Sequence, residues 1–310
     1  RVDRWSADPE IAVLYAAGTL ADGESASSPF MSSPITGSDT FARAADRLRK
    51  DGDVKAVVLR VDSPGGSVTA AERMWRAMER LAKAKPVVVS FGDIAASGGY
   101  YIAGPGREIL AQPESITGSI GVFMGKFNLK ALYEGLGIKH TLFLRGRNAA
   151  IRSDVADWSE TEKMRAQEST DTLYGLFLDR VDAGRPGLSR AQIEPLAGGR
   201  VWTGAQAGAC GLVDRHAGLL TALDLAAQAA SIGDGEYRVG VYPRTGGGSG
   251  GPRSPYGRVA AALADFLVSP AAVKTTGLEP FLAALQPFLS IPALHFSDGM
   301  PLALLPFVWE

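Results

Sequence analysis

The sequence predicts an α/β fold with mostly parallel strands and crossover helices, followed by a C-terminal extension. Three observations predict it. The continuously apolar runs Lys55–Val61 ("KAVVLRV") and Pro86–Phe91 ("PVVVSF") are of the kind buried on both faces of a parallel sheet. Between them, Met74, Trp75, Met78 and Leu81 recur at helical spacing. Strands and helices then keep alternating, which is the order that right-handed crossovers between parallel strands require.

Taken in order, Ile11–Tyr15 has a strand pattern, and Ser25–Gly37 is a polar, Ser- and Pro-rich loop. Ser38–Asp51 carries Phe41, Ala44, Ala45 and Leu48 on one helical face. Val68–Ala84 is the helix of Met74 and Trp75, whose spacing makes them core and not a cofactor box. Further on, 127–137 reads as a helix and 139–145 ("KHTLFLR") as a strand. Ser159–Ala183 is a long helix opened by Ser159 and Glu162 in capping-box spacing, with Glu160, Glu162, Lys163 and Arg165 on its solvated face. Helices over Ser189–Leu196 and Gly218–Ala230 and a strand over Tyr237–Tyr242 follow. The composition then changes: "PRTGGGSGGPRSP" is a flexible linker, and only 8 of the 68 residues from 243 to 310 are charged. The expected organisation is a linker over 1–10, a folded domain over 11–242, a Gly/Pro-rich linker over 243–254 and an apolar, proline-broken extension over 255–310 that packs on another subunit or on a membrane surface.

At 310 residues and 46% hydrophobic, the chain can bury a substantial core. Its 32 Lys+Arg against 33 Asp+Glu leave a net charge of -1 with no basic run, which argues against a nucleic-acid partner. The single cysteine, Cys210, cannot form an internal disulfide and reads as a small residue on a packed helix. No histidine cluster or CxxC pair points to a metal, and no cofactor is expected. No signal peptide or uninterrupted transmembrane run is read in the sequence, and a start at Arg1 suggests a piece of a longer protein.

Two glycine-rich turns carry candidate chemistry. In Gly92–Gly104, "GDIAASGGYYIAG", Ser97 sits between two alanines and two glycines directly after a buried strand, so that backbone and ligand can approach closely. The bland alternative is a serine capping the next helix. In "DSPGGS", Gly65 and Gly66 end the preceding strand, where exposed backbone N–H groups could hold a developing negative charge. A lone Gly-Gly there is more often a tight turn. On adjacent parallel strands, however, the two turns come side by side at one sheet edge.

These motifs, with "PESITGSIGVF" (Pro113–Phe123) and "GRVWTGAQAGACGLVD" (Gly199–Asp214), resemble the signal peptide peptidase A (protease IV) family of the Clp protease/crotonase superfamily, from about Ile11 to Ala230. The resemblance implies a serine peptidase with Ser97 as nucleophile, forming an acyl-enzyme. It implies Gly65, Gly66 and the Gly98 N–H at the oxyanion site, and Ser119 positioning a catalytic lysine. Tyr100 and Tyr101 match the motif and read as wall or core aromatics. A lysine serves as base only when burial keeps it neutral, and such a base leaves His140, His216 and His295 without a triad role.

The sequence departs from the family pattern at one point. In short forms the lysine lies on the loop matching "LRGRNAAIRSD", where this chain has Ala149. Long forms are duplicated, with the serine in the C-terminal half and the lysine in the N-terminal half, so this chain resembles the C-terminal half of a long form. The base then comes from an N-terminal half or another subunit. Lys126 is the internal candidate nearest Ser119 in sequence, although it, Lys130 and Lys163 read as solvated helix residues. By the same resemblance the protein is a homo-oligomer at the bacterial cytoplasmic membrane, acting on the periplasmic side on cleaved signal peptides or other apolar peptides. Two other readings compete: a crotonase-type acyl-CoA enzyme, which needs no nucleophilic serine, and a catalytically silent half serving assembly.

Overall fold

The apolar runs become strands buried on both faces because each alternates its side chains between two separate cores. A computed structural model describes residues 8–26, 34–233, 236–243 and 302–303. In chain order these form β1 (Glu10–Ala17), β2 (Thr19–Ala21), β3 (Ile35–Gly37), α1 (Ser38–Lys50), β4 (Val54–Ser63), β5 (Gly66–Ser67), α2 (Val68–Ala82), β6 (Val87–Ala96) and α3 (Gly98–Ala103). They continue as β7 (Ile109–Ala111), β8 (Ile116–Gly118), α4 (Lys130–Gly135), α5 (Glu160–Gly184), α6 (Arg190–Ile193), β9 (Val201–Thr203), α7 (Gly204–Ala209), β10 (Arg215–His216), α8 (Leu219–Ala229), β11 (Arg238–Tyr242) and β12 (Leu302–Ala303).

The main sheet runs β10-β7-β6-β4-β1-β11, all parallel, and β8 pairs in parallel with the distal part of β6. Only β9, on β8, runs antiparallel in this sheet. A small second sheet, β12-β5-β2-β3, carries the glycine turn. On one face of the main sheet, Leu14, Val57, Leu59, Val61, Val89 and Phe91 pack against Phe41 and Leu48 of α1 and Met74, Trp75, Met78 and Leu81 of α2. On the other, Ile11, Val13, Ala56, Val58, Val88 and Leu110 meet Ala222, Leu223, Ala226 and Ala227 of α8. The mostly parallel α/β fold is therefore present, and its core helices use the residues that periodicity selects.

The long helix α5 opens with the expected capping box: the Ser159 side chain accepts from the Glu162 N–H and the Glu162 carboxylate accepts from the Ser159 N–H, so Glu162 is buried at the helix start and not on the solvated face expected for it. The expected strand at 139–145 does not form. Its side chains are exposed, Phe143 by 93%, and no strand among the described residues pairs with it, so the apolar run has no partner there. The helix expected over 127–137 shortens to α4, and the expected loop Ser25–Gly37 ends in β3. The linker over 1–10 is described only from residue 8, and of the linker and extension beyond 243 only Leu302–Ala303 lies within the described residues.

The cores fix where substitutions are costly. Leu59→Ala, at a fully buried position in β4, is expected to lower unfolding free energy by about 2–5 kcal/mol. Leu220→Ala, at a side chain 77% exposed, should change it by less than about 0.5 kcal/mol. Denaturant unfolding measures both.

Candidate active site

At the end of β6 the chain turns into α3 through Ser97, whose backbone sits at φ 52°, ψ -117°. A non-glycine residue there is strained by about 1–3 kcal/mol, and such a strained strand-to-helix turn is what lifts a nucleophile's hydroxyl clear of its backbone. The turn is held from both sides: the Ser97 N–H donates to the Gly118 carbonyl at 2.8 Å, and its carbonyl accepts from the Tyr101 N–H at 2.9 Å. The hydroxyl makes no capping bond to α3. Ser97 is fully buried, and its Oγ has no hydrogen-bond partner among the described residues. The capping explanation for this serine therefore does not hold.

Ser119 repeats the pattern one register step away. Because β8 pairs in parallel with β6, Ala96 lies opposite Gly118, and Ser119 follows Gly118 as Ser97 follows Ala96. Ser119 also has positive φ, 48°, is fully buried, and has an unpartnered Oγ. Its N–H donates to the Arg200 carbonyl at 2.6 Å. Each buried unsatisfied hydroxyl costs about 1–3 kcal/mol, so two at adjacent positions are a local sacrifice of stability.

The glycine turn lies beside Ser97 because β4 and β6 are parallel neighbours, with Ser63 opposite Ala95. Gly66 has φ 152°, and a Cβ there would fall 2.1 Å from the Leu20 carbonyl oxygen. A Cβ on Gly98 would sit 3.2 Å from Leu20 Cδ1 and 3.3 Å from Gly65 Cα, a tight fit that shows how closely the two turns approach. The Gly65 N–H donates to Ser63 Oγ at 3.1 Å. Its amide is thus engaged within the turn. Leu20 N–H to the Gly65 carbonyl, 2.8 Å, ties the turn to β2, and the Asp22 carboxylate accepts from Ser67 Oγ at 2.5 Å and from Thr69 Oγ1 at 2.8 Å. On its other edge β5 pairs antiparallel with β12, Ser67 opposite Leu302 and Gly66 opposite Ala303.

Other sequence candidates lie elsewhere. Lys126 Nζ donates to the Ala150 carbonyl at 3.1 Å and sits 5.7 Å from the centre of the Trp158 ring, with no hydrogen bond to Ser97 or Ser119. Lys163 pairs with Glu160 at 2.8 Å, and Lys130 lies 3.9 Å from Glu134. Ala149 is exposed in a turn. His140 packs on Tyr133, the His216 Nε2 sits 3.1 Å from the Gly204 carbonyl, and His295 is outside the described residues. Tyr100 is core: its hydroxyl donates to the Leu212 carbonyl at 2.8 Å, and burial pushes its acidity well down. No group of metal-ligating side chains occurs among the described residues. Asp22 and Ser63, which shape the glycine turn, were not singled out by the sequence, because their roles depend on contacts that only the fold creates.

A strained, buried serine beside a glycine turn at the ends of two parallel strands is an arrangement that suits a serine hydrolase. Residues 79–233 match the model of peptidase family S49, and the chain belongs to that family. It is similar to "Serine protease SPPA, chloroplastic" of Arabidopsis thaliana, 38% identical over 186 residues that cover 60% of this chain and 27% of the relative. It is also similar to "Protease 4" of Haemophilus influenzae, 36% identical over 229 residues covering 74% and 36% respectively. The chain thus spans about a third of the length of these curated relatives. Among solved structures, a ClpP1 mutant from Listeria monocytogenes aligns with 68% of this chain and 94% of its own length, with a TM-score of 0.46 and 11% identity.

The unpartnered hydroxyl makes a stability prediction. Ser97→Ala is expected to raise unfolding free energy by about 1 kcal/mol, since it removes a buried unsatisfied group without opening a large cavity. Denaturant midpoints of the two proteins measure it.

Proposed function

We propose that the chain is the serine-bearing part of a serine–lysine endopeptidase, acting through an acyl-enzyme on Ser97, with the base lysine supplied by an N-terminal half or another subunit. The observation that carries this reading is the pair of buried, unpartnered hydroxyls on strained turns, Ser97 and Ser119. A neutral amine placed between them would accept the Ser97 proton through its lone pair while donating to Ser119 Oγ. Ser97 Oγ then attacks the scissile carbonyl carbon, and the oxyanion is held by the Gly66 and Gly98 N–H groups. The resulting ammonium returns its proton to the leaving nitrogen as the C–N bond breaks. Water, deprotonated by the same amine, releases the acyl group. Gly65 shapes the turn, because its own N–H is already given to Ser63.

Substrate binds as an extended strand. Antiparallel pairing of Leu302–Ala303 with β5 supports this, since the edge beside the glycine turn accepts a strand through main-chain bonds, which place little demand on side-chain identity. The same reading assigns cleaved signal peptides and other apolar peptides as substrates, and places the enzyme as a homo-oligomer at the bacterial cytoplasmic membrane with the catalytic part on the extracytoplasmic side. No helix among the described residues is long and apolar enough to cross a membrane. The apolar composition of 255–310 supports a role in contacts with another subunit or with the lipid surface. Neither an acyl-CoA enzyme nor a silent half has a use for a strained, unsatisfied hydroxyl at 97.

Two measurements test the reading. Residues 1–310 alone are expected to fold but hydrolyse peptide very slowly, and addition of the base-bearing half should restore turnover, which Ser97→Ala then lowers by roughly 10^4-fold or more. Turnover that survives Ser97→Ala in the complete assembly overturns the assignment. Unfolded apolar peptides should be cleaved and native globular proteins largely spared; equal rates on the two would refute strand-wise binding.

A further inference from the structure

We propose that Glu72, acting with Tyr101 and Arg180, is a positioning device that fixes the spacing between the glycine turn and the nucleophile turn. The inference rests on the reading of Ser97 as nucleophile. Helix α2 starts directly after the glycine turn, and α3 starts directly after Ser97, so whatever sets α2 against α3 sets the oxyanion donors against the nucleophile. Where the two turns touch, the contacts are between very small groups: a Cβ on Gly98 would lie 3.3 Å from Gly65 Cα and 3.4 Å from Ala71 Cβ. The sheet pairs Ser63 with Ala95 just before the turns, but beyond that last pair the glycine and alanine contacts allow close approach without adding a directional interaction.

Glu72 supplies the direction. Its side chain, on α2, is only 15% exposed. One carboxylate oxygen accepts from the Tyr101 hydroxyl of α3 at 2.5 Å and from Arg180 Nε of α5 at 3.3 Å. The other accepts from Arg180 Nη2 at 2.7 Å and from Arg76 Nε at 2.6 Å. Tyr101 is joined to the nucleophile's own backbone through its N–H to the Ser97 carbonyl, 2.9 Å. Arg180 is itself held, its guanidinium lying 3.7 Å from the centre of the Trp75 ring, and the Tyr101 ring packs on Phe177 of α5 at 4.7 Å between centroids.

Two-pronged, charge-assisted bonds of this kind are short and geometrically specific. Burial alone would raise the Glu72 pKa, but hydrogen bonds from Arg180, Tyr101 and Arg76 outweigh it and hold the carboxyl below the ordinary value, so the anchor stays ionised at neutral pH. The requirement it meets is tight: a reacting group displaced by about 1 Å can lose roughly 10^2-fold in rate.

The test is steady-state kinetics on the active assembly, with active sites counted by a serine-reactive phosphonate and stability followed by thermal melting. Tyr101→Phe keeps the ring against Phe177 and removes only the hydroxyl. It is expected to lower kcat per titrated site by roughly ten- to a hundred-fold while KM stays within about twofold. Glu72→Gln, which keeps an acceptor for Tyr101, should retain more kcat than Glu72→Ala. A lowered melting temperature with unchanged kcat per site in Tyr101→Phe means a merely structural role and overturns the proposal, as does a change confined to KM. If Tyr101→Phe fails to fold, the same comparison is made with Glu72→Gln. Ser97→Ala in parallel separates the two ideas: turnover in that variant sinks the nucleophile assignment, whereas its loss alongside an unaffected Tyr101→Phe sinks only the positioning role.

Discussion

Parallel pairing of β4, β6 and β8 is the constraint on which the rest of this site depends. Parallel neighbours deliver their C-terminal ends to the same edge of a sheet, and ligand sites in open α/β sheets gather at that edge. Here the three ends carry the glycine turn, Ser97 and Ser119, and the register sets Ser63 opposite Ala95 and Ala96 opposite Gly118. A one-residue slip between β6 and β8 would move Ser119 away from its place beside Ser97 and turn the side chains that follow to the opposite face. The Ser97 N–H to Gly118 carbonyl bond and the buried Thr117 hydroxyl, which donates to the Ala95 carbonyl, hold that register.

The site spends stability that this core supplies. Ser97 and Ser119 combine positive φ with buried hydroxyls that have no partner among the described residues, and Gly66 is threaded against the Leu20 backbone where no side chain fits. Each of these features is individually unfavourable, and none relaxes, because the backbone on either side is pinned by hydrogen bonds to Gly118, Tyr101 and Arg200. Strain held in place by over-determined surroundings in this way is the usual mark of a functional position.

Much of this was legible in the sequence, for identifiable reasons. Continuous apolar runs announce strands buried on both sides, and Phe41, Met74 and Trp75 at helical spacing announce the helices that cover them. Ser97 was legible because small residues flank it on both sides immediately after such a run. The strand read at 139–145 failed because a short apolar run states a preference for a buried surface, and none of the described residues covers it. The four short strands β7 to β10, of three residues or fewer, fall below the length at which periodicity carries a signal. Glu72 was invisible for a different reason: its partners stand 29 and 108 residues away in the chain, and a lone glutamate on an amphipathic helix looks like any solvated one.

The way Ser97 and Ser119 are built also explains how such a site can be divided between two pieces of protein. On the proposed reading, the nucleophile Ser97, the oxyanion donors Gly66 and Gly98 and the base-orienting Ser119 all sit on backbone turns fixed by the sheet, so their geometry is set before any base arrives. A lysine contributes only one flexible side chain, and it needs a dry, polar-lined slot far more than a particular neighbour in sequence. In the proposed mechanism the two buried hydroxyls would serve such an amine, which can accept from one and donate to the other, whereas burial disfavours its charged form. Division of the dyad therefore costs little in precision: the rigid part stays on one sheet, and the mobile part is the one group whose fit is judged by protonation.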